Sequence, residues 1–278
     1  MSGNVRLIKM HDDQLDINFT IPPYIQSALP EWGTRGSVGG RGAAARRSGP
    51  CCRAPGPHGT VGPVIRAPLS LPGLTVIFDY GEVISLTPSR ADRAVIARLA
   101  GVSDGDGPFW AAYFAHRDAL DQGTAGVAAY WRAIAADIGA SWDQARMHEL
   151  WAADVRSWLS INPATVDVLA DLRAGGTPLA LLSNAGADFA SFLRHGPLGD
   201  LFSACYVSGE LGTLKPHAEI YRHVLDDLGI LPAEAIFVDN RTSNVAGAEA
   251  LGIAGHVFTD ASRLRTFLES LASVPAAG

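Results

Sequence analysis

The stretch LTVIFDYGEVIS, Leu74 to Ser85, runs apolar and β-branched residues directly into an aspartate, with a glycine two positions later. Strands buried on both faces read as near-continuous Val, Ile, Leu and Phe runs. A carboxylate at the carboxyl end of such a strand is poorly placed for stability. It is well placed for chemistry, because open α/β sheets bind ligands outside the carboxyl ends of their strands.

Outward from this stretch the pattern repeats. Strand-like runs fall at Thr75–Phe78, Leu179–Leu182, Ala204–Val207, Ala235–Val238 and His256–Phe258. Helical patterns lie at Pro163–Ala174, Asp188–Arg194, Ala218–Leu228, Thr242–Leu251 and Ser262–Ser273. Alternation of this kind predicts βαβ units, a parallel sheet and helices on both faces. Between the first two strands lie about 100 residues with no strand signal, too many for a structureless loop. They read as helices at Arg90–Ala100, Pro108–Ala119, Gly126–Ile138 and Ser141–Trp158, inserted above the carboxyl edge of the sheet. The fold class is thus α/β, a Rossmann-like parallel sheet with an inserted helical subdomain. Aromatic residues Phe109, Trp110, Tyr113, Phe114, Tyr130 and Trp131 recur there at helical spacing and read as core. Arg117 is the one polar residue singled out there as a possible substrate contact.

Composition bounds the function. Of 278 residues, 47% are hydrophobic and 18% charged, which suits a globular protein. Residues 1–70 carry 8 Lys+Arg against 4 Asp+Glu, and residues 71–278 carry 14 against 24. An acidic main body argues against a nucleic-acid partner. No apolar stretch approaches the roughly 20 residues of a membrane span, and the N-terminus lacks a signal-peptide core. Cys51, Cys52 and Cys205 make neither a disulfide framework nor a metal-ligand spacing. The expectation is a soluble, cytoplasmic protein with no membrane contact. Residues 1–70 are rich in Gly, Arg, Ala and Pro without periodicity, and read as a disordered or poorly structured extension.

Each strand end carries polar residues: Asp79, then Ser183 and Asn184, then Lys215 in GELGTLKPHAEIY, then Asp239 and Asn240. Parallel strands bring their ends together, so these groups can meet in one pocket. Asp79 suits a nucleophile that forms a covalent aspartyl intermediate. Asp79 and Asp239 suit Mg²⁺, a hard cation that takes oxygen ligands. Lys215 suits neutralisation of phosphate oxygens and of the repulsion between the carboxylates, and Ser183 and Asn184 suit donation to a phosphate oxygen. Residues 71–278 hold 13 arginines and Lys215 alone among lysines, which supports a site needing a compact ammonium.

The segments VIFDYGEV, LLSNA, KPHAEIY and IFVDNRTSNVAGAEALG, in that order, resemble the haloacid dehalogenase-like (HAD) hydrolase superfamily. The resemblance covers about 75–258 and lies nearest the branch of sugar-1-phosphate phosphatases and the N-terminal domain of bifunctional epoxide hydrolases. It implies a core over 71–85 and 160–278 and a helical cap over 86–159, with Tyr80–Leu86 as a mobile flap. It implies a Mg²⁺-dependent hydrolase of a small phosphate ester, with Asp79 as nucleophile and Asp79, Asp239 and the Gly81 carbonyl as metal ligands.

Two departures stand out. Family phosphatases usually place a second aspartate, the general acid, two residues after the nucleophile; here that residue is Gly81. Its loss favours leaving groups that need little protonation. Glu82 is the adjacent carboxyl. Asn240 stands where relatives often have Asp, which implies weaker Mg²⁺ binding. Two rival readings follow: a metal-independent 2-haloacid dehalogenase attacking carbon, and a non-catalytic phospholigand-binding regulatory protein.

Overall fold

The computed structural model describes residues 68–272. The reading of 1–70 as a disordered extension falls outside these residues, apart from its last three. Among those three, Leu69 is buried and its N–H donates to the Asp171 carbonyl at 3.1 Å, so packed chain begins two residues before the expected boundary.

Five strands, β1 (Thr75–Phe78), β2 (Leu179–Ser183), β3 (Ala204–Val207), β4 (Ala235–Asp239) and β5 (Ala254–Val257), form one sheet in the order β3-β2-β1-β4-β5. Every pairing is parallel. All residues of β1, β2 and β4 are buried, as their apolar runs require. β5 starts two residues before the sequence signal, because Ala254 and Gly255 carry little strand propensity of their own.

Successive strand side chains point to opposite faces. Val76 and Phe78 pack with helices α6 (Pro163–Ala174) and α11 (Ala261–Ala272) through Leu169, Leu172, Leu264 and Leu268. Ile77 faces the other way, toward α9 (Ala218–Leu228) and α10 (Thr242–Glu249) through Ile220, Tyr221 and Ala248. Each such fully buried side chain contributes roughly 1.5–3 kcal/mol. α7 (Ala190–His195) and the single turn α8 (Ser208–Leu211) complete this part of the chain. The sequence reading missed α8 because its four residues include Gly209 and show no period.

The chain leaves β1 for β2 and β3 on one side, then returns to the other side for β4. Ligands in such sheets bind where the strand order reverses, at the carboxyl ends. Here that point lies between β1 and β4, the strands that end in Asp79 and Asp239.

Between β1 and β2 run α1 (Arg90–Ala100), α2 (Gly107–Ala115), α3 (Arg117–Asp121), α4 (Val127–Ile138) and α5 (Gln144–Ser157). They enclose their own buried cluster, with Phe109, Tyr113, Tyr130, Trp131, Ile134 and Leu150 at its centre. The helix expected over 108–119 is broken: α2 stops at Ala115 and His116 (φ −95°, ψ −1°) turns the chain into α3. Of the six aromatics read as core, Phe114 is the exception, at 55% exposure. Among the described residues, no helix is long and apolar enough to cross a membrane.

Candidate functional site

Asp79 follows the last residue of β1, and its N–H donates to the Val238 carbonyl at 2.8 Å, extending the β1–β4 ladder by one step. That step sets Asp79 beside Asp239, the last residue of β4, which is fully buried. Two carboxylates side by side in the interior repel and need compensation. Lys215 provides it. Its Nζ donates to Asp79 Oδ1 at 2.7 Å, to Asp239 Oδ2 at 2.8 Å and to the Leu182 carbonyl at 2.8 Å. The Lys215 side chain is 1% exposed, and all three of its N–H donors are taken. Burial pushes the Asp79 carboxyl up to about 6, with Asp239 acting in the same direction and Lys215 opposing both.

The loops around this triangle hold it in place. Asn244 Nδ2 donates to Asp239 Oδ2 at 3.0 Å, and the Arg241 N–H donates to Asp239 Oδ1 at 2.7 Å. Asn184 Nδ2 donates to the Lys215 carbonyl at 3.0 Å, and its Oδ1 accepts from the Lys215 N–H at 2.9 Å. Its amide therefore fixes the Lys215 backbone. Ser183 is buried at the end of β2 and lines the cavity above the triangle, with no side-chain partner among the described residues. Glu82, at φ 58°, lines the cavity beside Gly81, and its carboxylate accepts from Thr87 Oγ1 at 3.0 Å and Asn240 Nδ2 at 2.7 Å. Asn240 thus ties one loop to another. At Gly81, an added Cβ would stand 3.8 Å from Trp158 Cζ3 and 4.0 Å from Asp79 Oδ2, so the position faces the nucleophile candidate with room to spare.

The cavity measures about 330 Å³, within the range of small-molecule sites. Its floor is Asp79, Ser183 and Lys215, and its opposite wall comes from α2, α3 and α5. In that wall Arg117 Nε donates to Asp121 Oδ1 at 3.0 Å, and Arg117 Nη1 donates to Asp154 Oδ2 at 2.8 Å and to the Tyr113 hydroxyl at 3.1 Å. The Tyr113 hydroxyl in turn donates to Asp154 Oδ1. Burial pushes the Asp121 carboxyl up to about 6, Asp154 adds to the shift, and Arg117 opposes it. The wall is fastened to the sheet side: Ser208 Oγ donates to the Asp121 carbonyl at 2.6 Å, and Trp151 Nε1 donates to Asp188 Oδ2 at 2.5 Å. Gly123 (φ +78°) lies so close to Gly209 that a Cβ would meet the Gly209 oxygen at 2.3 Å.

The donor set fits a hard divalent cation. Asp79 and Asp239 supply carboxylate oxygens, and the two buried carboxylates share one ammonium, leaving a negative surplus that a cation would relieve. Among the described residues no three His, Cys, Asp or Glu side chains gather into a metal site, so any cation here relies on these two carboxylates and on backbone or ligand oxygens.

A family model described as haloacid dehalogenase-like hydrolase matches residues 75–252. The chain belongs to that family. The match begins at β1 and ends just past α10, so it takes in Asp79, Ser183, Lys215 and Asp239. Among curated proteins, the sesquiterpene phosphatase of Aspergillus oryzae is 35% identical over 94 residues, 34% of this chain and 48% of that protein. Phosphoserine phosphatase of Thermus thermophilus is 37% identical over 95 residues, 34% of this chain and 38% of that protein. The matches thus span half or less of these relatives' length. Among solved structures, a HAD family enzyme from Bacteroides thetaiotaomicron in complex with magnesium and inorganic phosphate superposes with a TM-score of 0.56. It is 22% identical, over 69% of this chain and 98% of that one. At that identity the likeness concerns the fold.

The sequence-predicted residues Asp79, Ser183, Asn184, Lys215 and Asp239 all gather at one cavity or directly beneath it. Asp121, Asp154, Trp151, Asp188 and Arg241 also belong to the cavity or its walls and were not singled out from the sequence. One signal for them was visible: Tyr113, Arg117 and Asp121 recur at steps of four, the spacing of helical ion pairs.

Proposed function

We propose that this HAD-family protein is a phosphohydrolase of a small phosphate monoester, using Asp79 as nucleophile and Mg²⁺ held by Asp79, Asp239 and the Gly81 carbonyl. The observation that carries it is the Asp79–Lys215–Asp239 triangle, buried at the switch point of the sheet and opening onto a cavity roofed by inserted helices. The cation, when bound, would supply charge to the transferring phosphoryl group.

The chain's own residues supply the rest. Lys215 holds Asp79 Oδ1, which leaves Oδ2 as the attacking atom. Oδ2 bonds to phosphorus as the P–O bond to the leaving group breaks, and the electron pair departs with the leaving oxygen. Water then attacks the phosphorus of the aspartyl phosphate, releasing inorganic phosphate and restoring the Asp79 carboxylate. The free Ser183 hydroxyl donates to a phosphoryl oxygen. The Lys215 charge sits beside the phosphoryl group while its three N–H groups hold the carboxylates and the Leu182 carbonyl. The inserted helices act as a cap that restricts water during the first step. The division into core (71–85 and 160–278) and cap (86–159) is part of this reading.

No side chain stands at Gly81 to protonate the leaving group, and both Glu82 oxygens already accept hydrogen bonds. The reading therefore favours leaving groups of low basicity. Relatives that include named phosphatases support phosphate esters as substrates. The test is hydrolysis of 4-nitrophenyl phosphate by the purified chain. Turnover that requires Mg²⁺, stops with EDTA and is lost in Asp79→Asn supports the reading. Chloride release from 2-chloropropionate without metal, or ligand binding with no turnover, contradicts it.

A further inference from the structure

The two sides of the cavity differ in charge and in surface, and the difference specifies the part of the substrate that is not phosphate. Three cations line the cavity among the described residues: Lys215, Arg241 and Arg117. Lys215 lies in the floor, and the backbone of Arg241 stands at the phosphoryl end, its N–H donating to Asp239 Oδ1. Arg117 alone stands in the opposite wall. Its guanidinium is saturated by Asp121, Asp154 and the Tyr113 hydroxyl. Asp118 lines the same wall, which therefore holds three carboxylates against one guanidinium. An anionic leaving group would find no free cation there and would face a surplus of negative charge.

The remaining surface of that side is apolar and mostly aromatic. Tyr113, Phe114, Trp151, Leu120 and Val155 line it, and Phe189 lines the cavity from the chain that follows β2. Two of the large hydrophobic residues exposed among the described residues continue this surface outward: Phe114 is 55% exposed, and Phe192 is 43% exposed with its ring 5.8 Å from that of Phe189.

We infer that the leaving group is a neutral, apolar phenol or similarly acidic hydroxyl compound, its body packed against Phe114, Trp151 and Phe189, and that carboxylated and doubly phosphorylated compounds are excluded. This rests on the phosphohydrolase reading above and narrows its substrate class. It agrees with Gly81, since a phenol or similarly acidic hydroxyl leaves without a protein proton donor.

The experiment holds leaving-group acidity constant and varies only the body. Phenyl phosphates carrying 4-methyl, 4-ethyl, 4-butyl and 4-hexyl groups are compared with 4-(carboxyalkyl) and 4-(aminoalkyl) counterparts. kcat/KM should rise by about two- to fourfold per added methylene, the value of one buried CH₂. The carboxyalkyl esters should fall about tenfold or more below the alkyl esters of equal length. Phe114→Ser, at an exposed position, should flatten the slope with chain length. A flat alkyl series, or a preference for the carboxyalkyl or aminoalkyl esters, overturns the inference. A second measurement separates it from the parent reading: dissociation constants of the same esters with Asp79→Asn, which leaves them intact, should fall with chain length. Chain-length-dependent binding without wild-type turnover rejects the phosphohydrolase reading alone. Turnover of 4-nitrophenyl phosphate with no chain-length dependence rejects this inference alone.

Discussion

Lys215 Nζ lies 2.7 Å from Asp79 Oδ1, joining residues 136 positions apart, and its remaining donors go to Asp239 and the Leu182 carbonyl. One ammonium thus holds two buried carboxylates at the ends of adjacent strands. The arrangement places reactive groups where the strand order reverses and leaves a cation-shaped deficit of positive charge beside them.

Lys215→Met removes the sole compensating charge and leaves Asp79 and Asp239 facing each other in the interior. Breaking a buried pair from one side costs about 3–5 kcal/mol. Urea denaturation at pH 7 should show a loss of that size together with loss of turnover. An unchanged midpoint would show that the carboxylates do not depend on Lys215.

Gly81→Asp tests whether this position lacks only a side chain. The site has room, because the nearest atoms to an added Cβ are Trp158 Cζ3 at 3.8 Å and Asp79 Oδ2 at 4.0 Å. General acid help contributes about 10²–10⁴-fold where fully optimised. An introduced aspartate should raise kcat/KM for alkyl phosphates relative to 4-nitrophenyl phosphate by about tenfold or more. An unchanged ratio would mean that protonation of the leaving group does not limit the rate.

Asp121 gives a pH prediction. Its carboxyl has an ordinary value of 3.8 and is pushed up to about 6 in the fold by burial and by Asp154, against Arg117. Between these values the folded protein holds a proton that the unfolded chain has released. The stability linked to this proton is present below about pH 4 and is lost as pH rises through 6. Asp121→Asn has no carboxyl to titrate at this position and escapes this loss. Relative to wild type it should therefore gain up to about 3 kcal/mol between pH 4 and pH 7, read from denaturation curves. A difference that stays constant with pH would contradict the shift.

Gly123→Ala should destabilise by about 2 kcal/mol or more. Its φ of +78° disfavours a side chain, and the Cβ would meet the Gly209 oxygen at 2.3 Å, where α3 approaches α8. Thermal unfolding checks this. A variant as stable as wild type would mean that the approach relaxes without cost.

Much of the core was legible because its signals are local. β1, β3, α1, α6 and α9 have the bounds their sequence patterns predict, since each is a clean apolar run or a 3.6-residue period with clear ends. The strand-end residues Asp79, Ser183 and Asp239 were legible because parallel topology forces such ends together, and Lys215, in the loop between α8 and α9, because it is the lone lysine of residues 71–278. What escaped depends on distance in sequence. Asp154 meets Arg117 across 37 residues, and Asn184 grips the Lys215 backbone across 31. The break at His116 carries no Gly or Pro to announce it. Phe114 sits at helical spacing among core aromatics, yet the turn into α3 leaves it exposed beside the cavity. Glu82 and Asn240, the polar residues beside Gly81 and Asp239, bond to each other across 158 positions, a pairing with no local signal.

The central claim is a covalent bond between Asp79 and phosphorus. Wild-type protein turning over 4-nitrophenyl phosphate with Mg²⁺ is quenched in acid within one turnover and reduced with borohydride, which converts an acyl phosphate to an alcohol. Peptide mass spectrometry should then find the reduced side chain at Asp79, and at no other carboxylate. Reduction at a different residue, or unmodified Asp79 during active turnover, would contradict the account.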